Sequence, residues 1–234
     1  ITKTGASGKA LQEMQDIADN VFSSMPVDMA DVGNAVGEVN TRFHSMGEEL
    51  ENTSKIFLQF AEINGTNVSS SVDKTDRIMK SFGVDASEVK NVLGLFTKVG
   101  QDTGMTMETL MGTLDTNGEN FRNLGFSLES SAQMLAEFEA NGVDTNGVLA
   151  ALQKGVVNAT KEGKDANSML SEAAAAIVNA KTETEALQIA TETFGSKGAM
   201  VMVDGLRSGR VSLQETGTSL KSYGDIVEKT FGET

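Results

Sequence analysis

Apolar residues recur at three- and four-residue intervals along most of this 234-residue chain, and strict apolar/polar alternation is almost absent. Val89, Val92, Leu93, Phe96 and Val99 fall on one helical stripe, as do Leu128, Ala132, Leu135 and Phe138. Met169, Leu170, Ala173, Ala174 and Ile177 make another, and Leu50, Ile56, Phe57, Phe60, Ala61 and Ile63 a broader apolar face. This period turns one side of a helix toward a core. The run Ala199–Val203 would pass for a buried strand in isolation, but its flanks keep helical spacing through Leu206, so it is assigned to a helix. The pattern predicts an all-α fold: many short helices joined by Gly-containing turns, a helical bundle or irregular helical array. The predicted helices are 8–22, 29–45, 47–63, 69–81, 86–100, 107–116, 128–140, 145–158, 166–180, 183–193, 197–207 and 213–230.

The joints repeat one arrangement. Gly83-Val84-Asp85, Gly104-Met105-Thr106, Gly125-Phe126-Ser127 and Gly142-Val143-Asp144 each read as Gly, an apolar residue, then a capping residue. Gly suits the left-handed position that ends a helix, and Asp, Ser or Thr suits the N-cap of the next. The middle residue is placed to staple against Val89, Leu110 and Val148 in three cases, whereas Phe126 would face Ser131. Successive glycines of the set are 21, 21 and 17 residues apart. A start and a stop at every joint explain that spacing better than a solenoid repeat does. Thr182-x-x-Glu185 and Ser212-x-x-Glu215 are capping boxes that mark two later helix starts.

Composition sharpens this picture. The chain holds 24 Gly against one Pro, so its helices are interrupted by pliable residues rather than stiff ones. Gly94, Gly112, Gly155 and Gly205 fall inside helical patterns, at about 1 kcal/mol each relative to Ala. Aromatic residues are only 5%, which predicts a core of aliphatic residues, Ala and the 12 Met. The first residue is Ile1, which is read as a fragment or a processed product, and no signal peptide is visible. The longest strongly apolar stretch, Ala173–Val178, is far shorter than the roughly 18–20 residues of a membrane span.

The same counts remove several chemistries. Without Cys there is no disulfide, thiol catalysis or Cys-ligated metal, and a single His, His44, excludes two-imidazole sites. A net charge of −14 opposes general binding to a phosphate backbone. Gly5-Ala6-Ser7-Gly8-Lys9 and Gly163-Lys164 miss the phosphate-loop spacing. Asp115-x-Asn117 and Asp144-x-Asn146-Gly147 have the start of a calcium loop but the wrong glycine position, and capping explains both. Asn52, Asn64, Asn67 and Asn158 head N-x-[ST] sequons that are read as chance matches. Glu48, Glu49 and Glu51 suit the positive end of a helix dipole, and His44 sits where a helix ends. The small basic spots Lys161–Asp165 and Arg207–Arg210 read as solvated surface. No catalytic, cofactor-binding or metal-binding residue is assigned and no cofactor is expected. For a hydrolase, Glu137 and Glu139 beside Phe138 are the least unsuitable acids.

The segment Ala190–Leu213, with Phe194-Gly195, a second helix from Gly198 to Leu206, and the turn Ser208-Gly209-Arg210-Val211, resembles the core region of phage tail tape measure proteins of long-tailed bacteriophages and prophages. Gly37–Val68, Val99–Leu135 and Asn141–Lys164 are similar to the same family, in the same order. The resemblance covers roughly residues 33–222, giving an N-terminal helical flank over 1–32, a core helical domain over 33–222 and a C-terminal helical tail over 223–234. It implies a non-enzymatic virion structural protein that templates tail tube assembly and length and leaves the tube ahead of DNA during genome ejection. The implied partners are other copies of the chain, the tail tube protein, tail assembly chaperones and tail-tip or baseplate proteins. The implied locations are the tail tube lumen and, during assembly, the host cytoplasm. Direct nucleic-acid binding is not expected, and membrane contact only during infection. The alternatives are a membrane-active module, motivated by the amphipathic runs Met169–Val178 and Ala199–Leu206, and a muralytic hydrolase.

Overall fold

A computed structural model of the chain describes residues 5–213 and 219–233. Among these the fold is all-α, 81% helical, with eleven α-helices and no strand. The helices are α1 (Gly8–Ser24), α2 (Met29–Phe43), α3 (Gly47–Asn64), α4 (Val68–Phe82), α5 (Val89–Thr103), α6 (Met107–Asn123), α7 (Leu128–Ala140), α8 (Thr145–Lys161), α9 (Ala166–Asn179), α10 (Glu183–Arg207) and α11 (Ile226–Glu233). Short 3-10 turns cover Ala86–Glu88 and Leu220–Tyr223. The chain divides into two compact units. Unit 1 comprises residues 1–101, 106–116 and 218–234; unit 2 comprises 102–105 and 117–217.

The Gly joints close as Schellman turns. Gly83 adopts φ 71°; its N–H donates to the Lys80 carbonyl at 3.2 Å while the Val84 N–H reaches back to Met79 at 2.8 Å. Asp85 then accepts from the Ser87 N–H at 2.9 Å. Gly125 and Gly142 repeat this, with Phe126 bonding back to Phe121 and Val143 to Phe138, and with Ser127 and Asp144 as the next caps. At Gly104 (φ 74°) the Met105 N–H donates to the Thr103 hydroxyl at 3.2 Å. Two further joints, Gly65-Thr66-Asn67 and Gly163-Lys164-Asp165, have the same bonds with a polar middle residue, so the backbone geometry does not depend on the apolar one. Phe126 finds its apolar partner behind it: its ring meets Phe121 edge-on, with centroids 6.4 Å apart. At Thr182 the box closes one residue early, since Glu185 accepts from the Lys181 N–H at 2.9 Å and Thr182 from the Glu185 N–H at 3.2 Å. Ser212-x-x-Glu215 extends outside the described residues.

Several predicted bounds shift for identifiable reasons. The 107–116 helix runs on to Asn123, because Asn117-Gly118 does not stop it and the turn at Gly125 does. The 86–100 helix opens with a 3-10 turn and reaches Thr103. The helices predicted at 183–193 and 197–207 are one element, α10, broken at Gly195 (φ 76°, ψ 161°). The helix predicted over 213–230 is corrected: Leu213 is not helical, Leu220–Tyr223 is a 3-10 turn, and α11 starts only at Ile226. The 3-10 turn sets the Tyr223 carbonyl against α5 at Gly94.

In unit 1, α2 packs on α3 and α4, α1 on α2 and α3, and α11 on α3. Val32, Val36, Val39, Phe57, Phe60, Ile78, Leu93 and Phe96 are buried. In unit 2, α10 packs on α8 and α9, burying Leu152, Leu170, Ile177, Ala190 and Phe194. Most of the buried hydrophobic residues are aliphatic, Ala or Met, as expected, but the few aromatic rings are gathered among them. Phe57, Phe60, Phe96, Phe121, Phe138 and Phe194, six of the 11 Phe, are among the largest fully buried side chains. A scarce aromatic set is concentrated inside because each ring removes more apolar surface from water than any aliphatic residue here.

Among the described residues unit 1 also contains two buried hydroxyls without a hydrogen-bond partner, Ser54 Oγ on α3 and Thr75 Oγ1 on α4. A buried hydroxyl left unpaired is destabilising, so the isosteric Thr75→Val, and likewise Ser54→Ala, should each raise stability by about 1 kcal/mol. Urea midpoints measure this. A lowered midpoint for both variants would mean the hydroxyls are satisfied after all.

Candidate functional site

Most residues singled out for chemistry serve the helices that carry them. His44 occupies the left-handed C-cap of α2 at φ 56°, the one described non-Gly residue with positive φ, and is exposed. Glu48 and Glu49 lie exposed in the first turn of α3. Glu51 pairs with Lys55 at 2.7 Å, and that bond holds its carboxyl below the usual range. Glu137 and Glu139 are exposed on either side of the fully buried Phe138, outside the apolar cleft that a raised-pKa acid requires. Asp144 caps α8 by accepting from the Gly147 N–H at 3.0 Å. Arg210 is drawn onto Asp204 and Ser208 at its own turn. Among the described residues no group of three or more potential ligands could hold a metal ion, and no helix is long and apolar enough to cross a membrane.

Asp85 and Asp165 are also held below the usual carboxylate range, Asp85 chiefly by the Ser87 hydroxyl and Asp165 by the Ser168 N–H. A carboxyl whose folded-state pKa is depressed stabilises the fold above its ordinary value, and that contribution is lost as pH falls through the lowered one. Glu51 (ordinary value 4.5), Asp85 and Asp165 (3.8) therefore place a loss of stability below these values. Denaturant midpoints measured between pH 7 and about pH 2 should hold steady and then fall in the acid limb. In the triple variant Glu51→Gln, Asp85→Asn, Asp165→Asn that limb should be shallower, and an unchanged limb would contradict the assignment.

Two groupings emerge that motif searching does not reach. The first is an ionic clamp in unit 1. Arg42 of α2 pairs with Glu38 at 3.1 Å and reaches Asp73 of α4 at 2.6 Å, while the buried Asp76 pairs with Lys80 at 2.8 Å. Arg77 of α4 binds Asp73 and grips both oxygens of Asp115 on α6 at 2.8 Å each. The two carboxylates raise the Arg77 pKa further, Asp115 most. Every member of this clamp is paired, so it ties α2, α4 and the start of α6 together and offers no free group to a ligand.

The second is the crook of α10 in unit 2. Gly195 breaks the helix in a backbone region that is essentially reserved for Gly. Immediately before the break, the Asn158 amide of α8 donates to the carbonyls of Glu192 (3.1 Å) and Thr193 (2.9 Å). Close packing surrounds it. A Cβ on Gly155 would lie 2.5 Å from Leu170 and 3.4 Å from Phe194, and one on Gly198 would lie 2.6 Å from the Ala151 methyl. Beside the break is a depression of about 410 Å³ lined by Gly147, Ala150, Ala151, Lys154, Phe194 and residues 195–198. The sequence signal for this site was weak: Asn158 was visible only within a sequon and Gly195 only as one helix end among many. Comparison of the chain with protein-family models, with curated proteins and with solved structures finds no match.

Proposed function

We propose that this chain is a structural segment of a phage tail tape measure protein, without enzymatic activity of its own. The observation that supports the reading is the ordered resemblance over residues 33–222, whose four stretches contain the Gly turns at Gly65, Gly125 and Gly163 and the Gly195 break of α10. In this reading the segment occupies the tail tube lumen of the virion and, during assembly, the host cytoplasm. It self-associates, meets the tube protein, assembly chaperones and tail-tip or baseplate proteins, and is released ahead of DNA. Its many Gly-ended helices make it a hinged helical domain rather than the long ruler. As one uninterrupted helix these residues would reach on the order of 350 Å, but a Gly joint ends most of the described helices after a few turns.

Mass spectrometry of particles induced from the strain that encodes the chain tests the reading. Peptides from these residues are expected in intact virions and depleted from particles that have ejected their DNA. Particles with complete tails but without these peptides would overturn it.

A further inference from the structure

We propose that the depression in the crook of α10 binds a small carboxylate carried on an apolar chain, of the medium-chain fatty-acid kind, with the carboxylate held by Lys154 and Lys197 and the hydrocarbon along the exposed Ala150 and the methylene stem of Lys154. The site stands independently of the function proposed above.

Its shape comes from the break itself. Where an unbroken helix would present a convex surface to α8, the turn at Gly195 leaves a concavity of about 410 Å³. That is within the ~300–1,000 Å³ range of small-molecule pockets. The small residues Gly147, Ala150, Ala151 and Gly198 line it, and the methylene stem of Lys154 crosses it at Gly195, its Cγ 3.2 Å from where a Cβ there would sit.

Charge selects the ligand. Lys154 and Lys197 are exposed at the rim, and among the described residues neither has an ion-pair or hydrogen-bond partner. The described lysine pairs, at Lys9, Lys55, Lys80, Lys90 and Lys164, lie elsewhere. Asp144, which approaches Gly147 at the far edge, uses its carboxylate to cap α8. Two unpaired cations at one apolar depression are unusual in a chain of net charge −14. That overall charge repels anions at long range, and it repels a dianion more than a monoanion. At the rim the two lysines attract an anion at close range, and one whose hydrocarbon adds burial at about 25 cal/mol per Å² is favoured over an ion with no apolar part.

Decanoate below its micellar concentration, titrated into the full ¹⁵N-labelled chain, tests this. Saturable amide shifts are expected at Gly147, Gly195 and Gly198, with none from decylamine. The double variant Lys154→Glu, Lys197→Glu places two repulsive charges at the rim and should weaken binding about tenfold or more. The double variant Lys161→Glu, Lys181→Glu makes the same charge change elsewhere in unit 2 and should leave affinity within about twofold, because separated surface charges are screened. All four lysines are exposed, and circular dichroism checks that each variant folds. Equal shifts with decylamine, shifts confined to other parts of the chain, or unaltered decanoate affinity in the Lys154, Lys197 variant would each overturn the site.

Discussion

Gly94→Ala is expected to destabilise unit 1 by about 3 kcal/mol, although the same change in an open helix would stabilise it by about 1 kcal/mol. Gly94 sits inside α5, and a methyl group built there would lie 1.9 Å from the Tyr223 carbonyl oxygen and 2.8 Å from its carbon. The obstruction is backbone, which cannot rotate aside as the end of a side chain can. Residues 219–233 would have to lift from α5. Tyr223 and Val227 would lose their burial, and the Lys90–Glu228 pair at 2.9 Å and the Gln101–Thr230 bond at 3.0 Å would break. Overpacking therefore outweighs the gain in helix propensity. Equilibrium urea unfolding gives the energy, and hydrogen exchange locates it: protection should fall first across 220–233. A raised midpoint with that protection intact would show that α5 and the C-terminal segment do not meet at Gly94.

The break in α10 gives the second large effect. Gly195→Ala should cost about 2–3 kcal/mol, because φ 76° with ψ 161° lies where a Cβ is strongly disfavoured. The variant could escape the strain by straightening α10 into continuous helix. It would then have to draw Phe194 away from Gly155 and Gly198 away from Ala151, contacts already as close as Gly allows. Either route lowers stability, and a gain in helical circular dichroism distinguishes straightening from strain. Asn158→Ala removes the amide from two carbonyls at the same break and should cost about 1–2 kcal/mol. A Gly195→Ala midpoint equal to that of the parent chain would mean that the backbone there is free to be helical.

Gly94 and Gly195 also show how far the sequence could be read. As an exposed helix interior, Gly94 looks like a small propensity cost, and only the approach of a carbonyl from residue 223 makes it indispensable. Gly112 reads the same way in the sequence, yet nothing lies within 4 Å of a Cβ there. Gly195 was legible as a helix end, but not as a break inside one element held by a side chain 37 residues earlier in the chain. Lys154 and Lys197 carried no local pattern, because the cavity they border is made by that break.

The all-α character, most helices up to α9, the Gly–cap joints and the buried stripes such as Val89–Val99 and Leu128–Phe138 were determined by the sequence alone. The physical reason is that periodicity, left-handed glycines and N-cap hydrogen bonds act within about five residues. Tertiary structure alone decided which glycines are contact points, that most of the scarce phenylalanines are buried, that Arg77 spans Asp73 and Asp115, and that α11 begins only at Ile226. Each depends on residues far apart in sequence meeting at van der Waals or hydrogen-bond distance, and local propensity carries no information about such meetings.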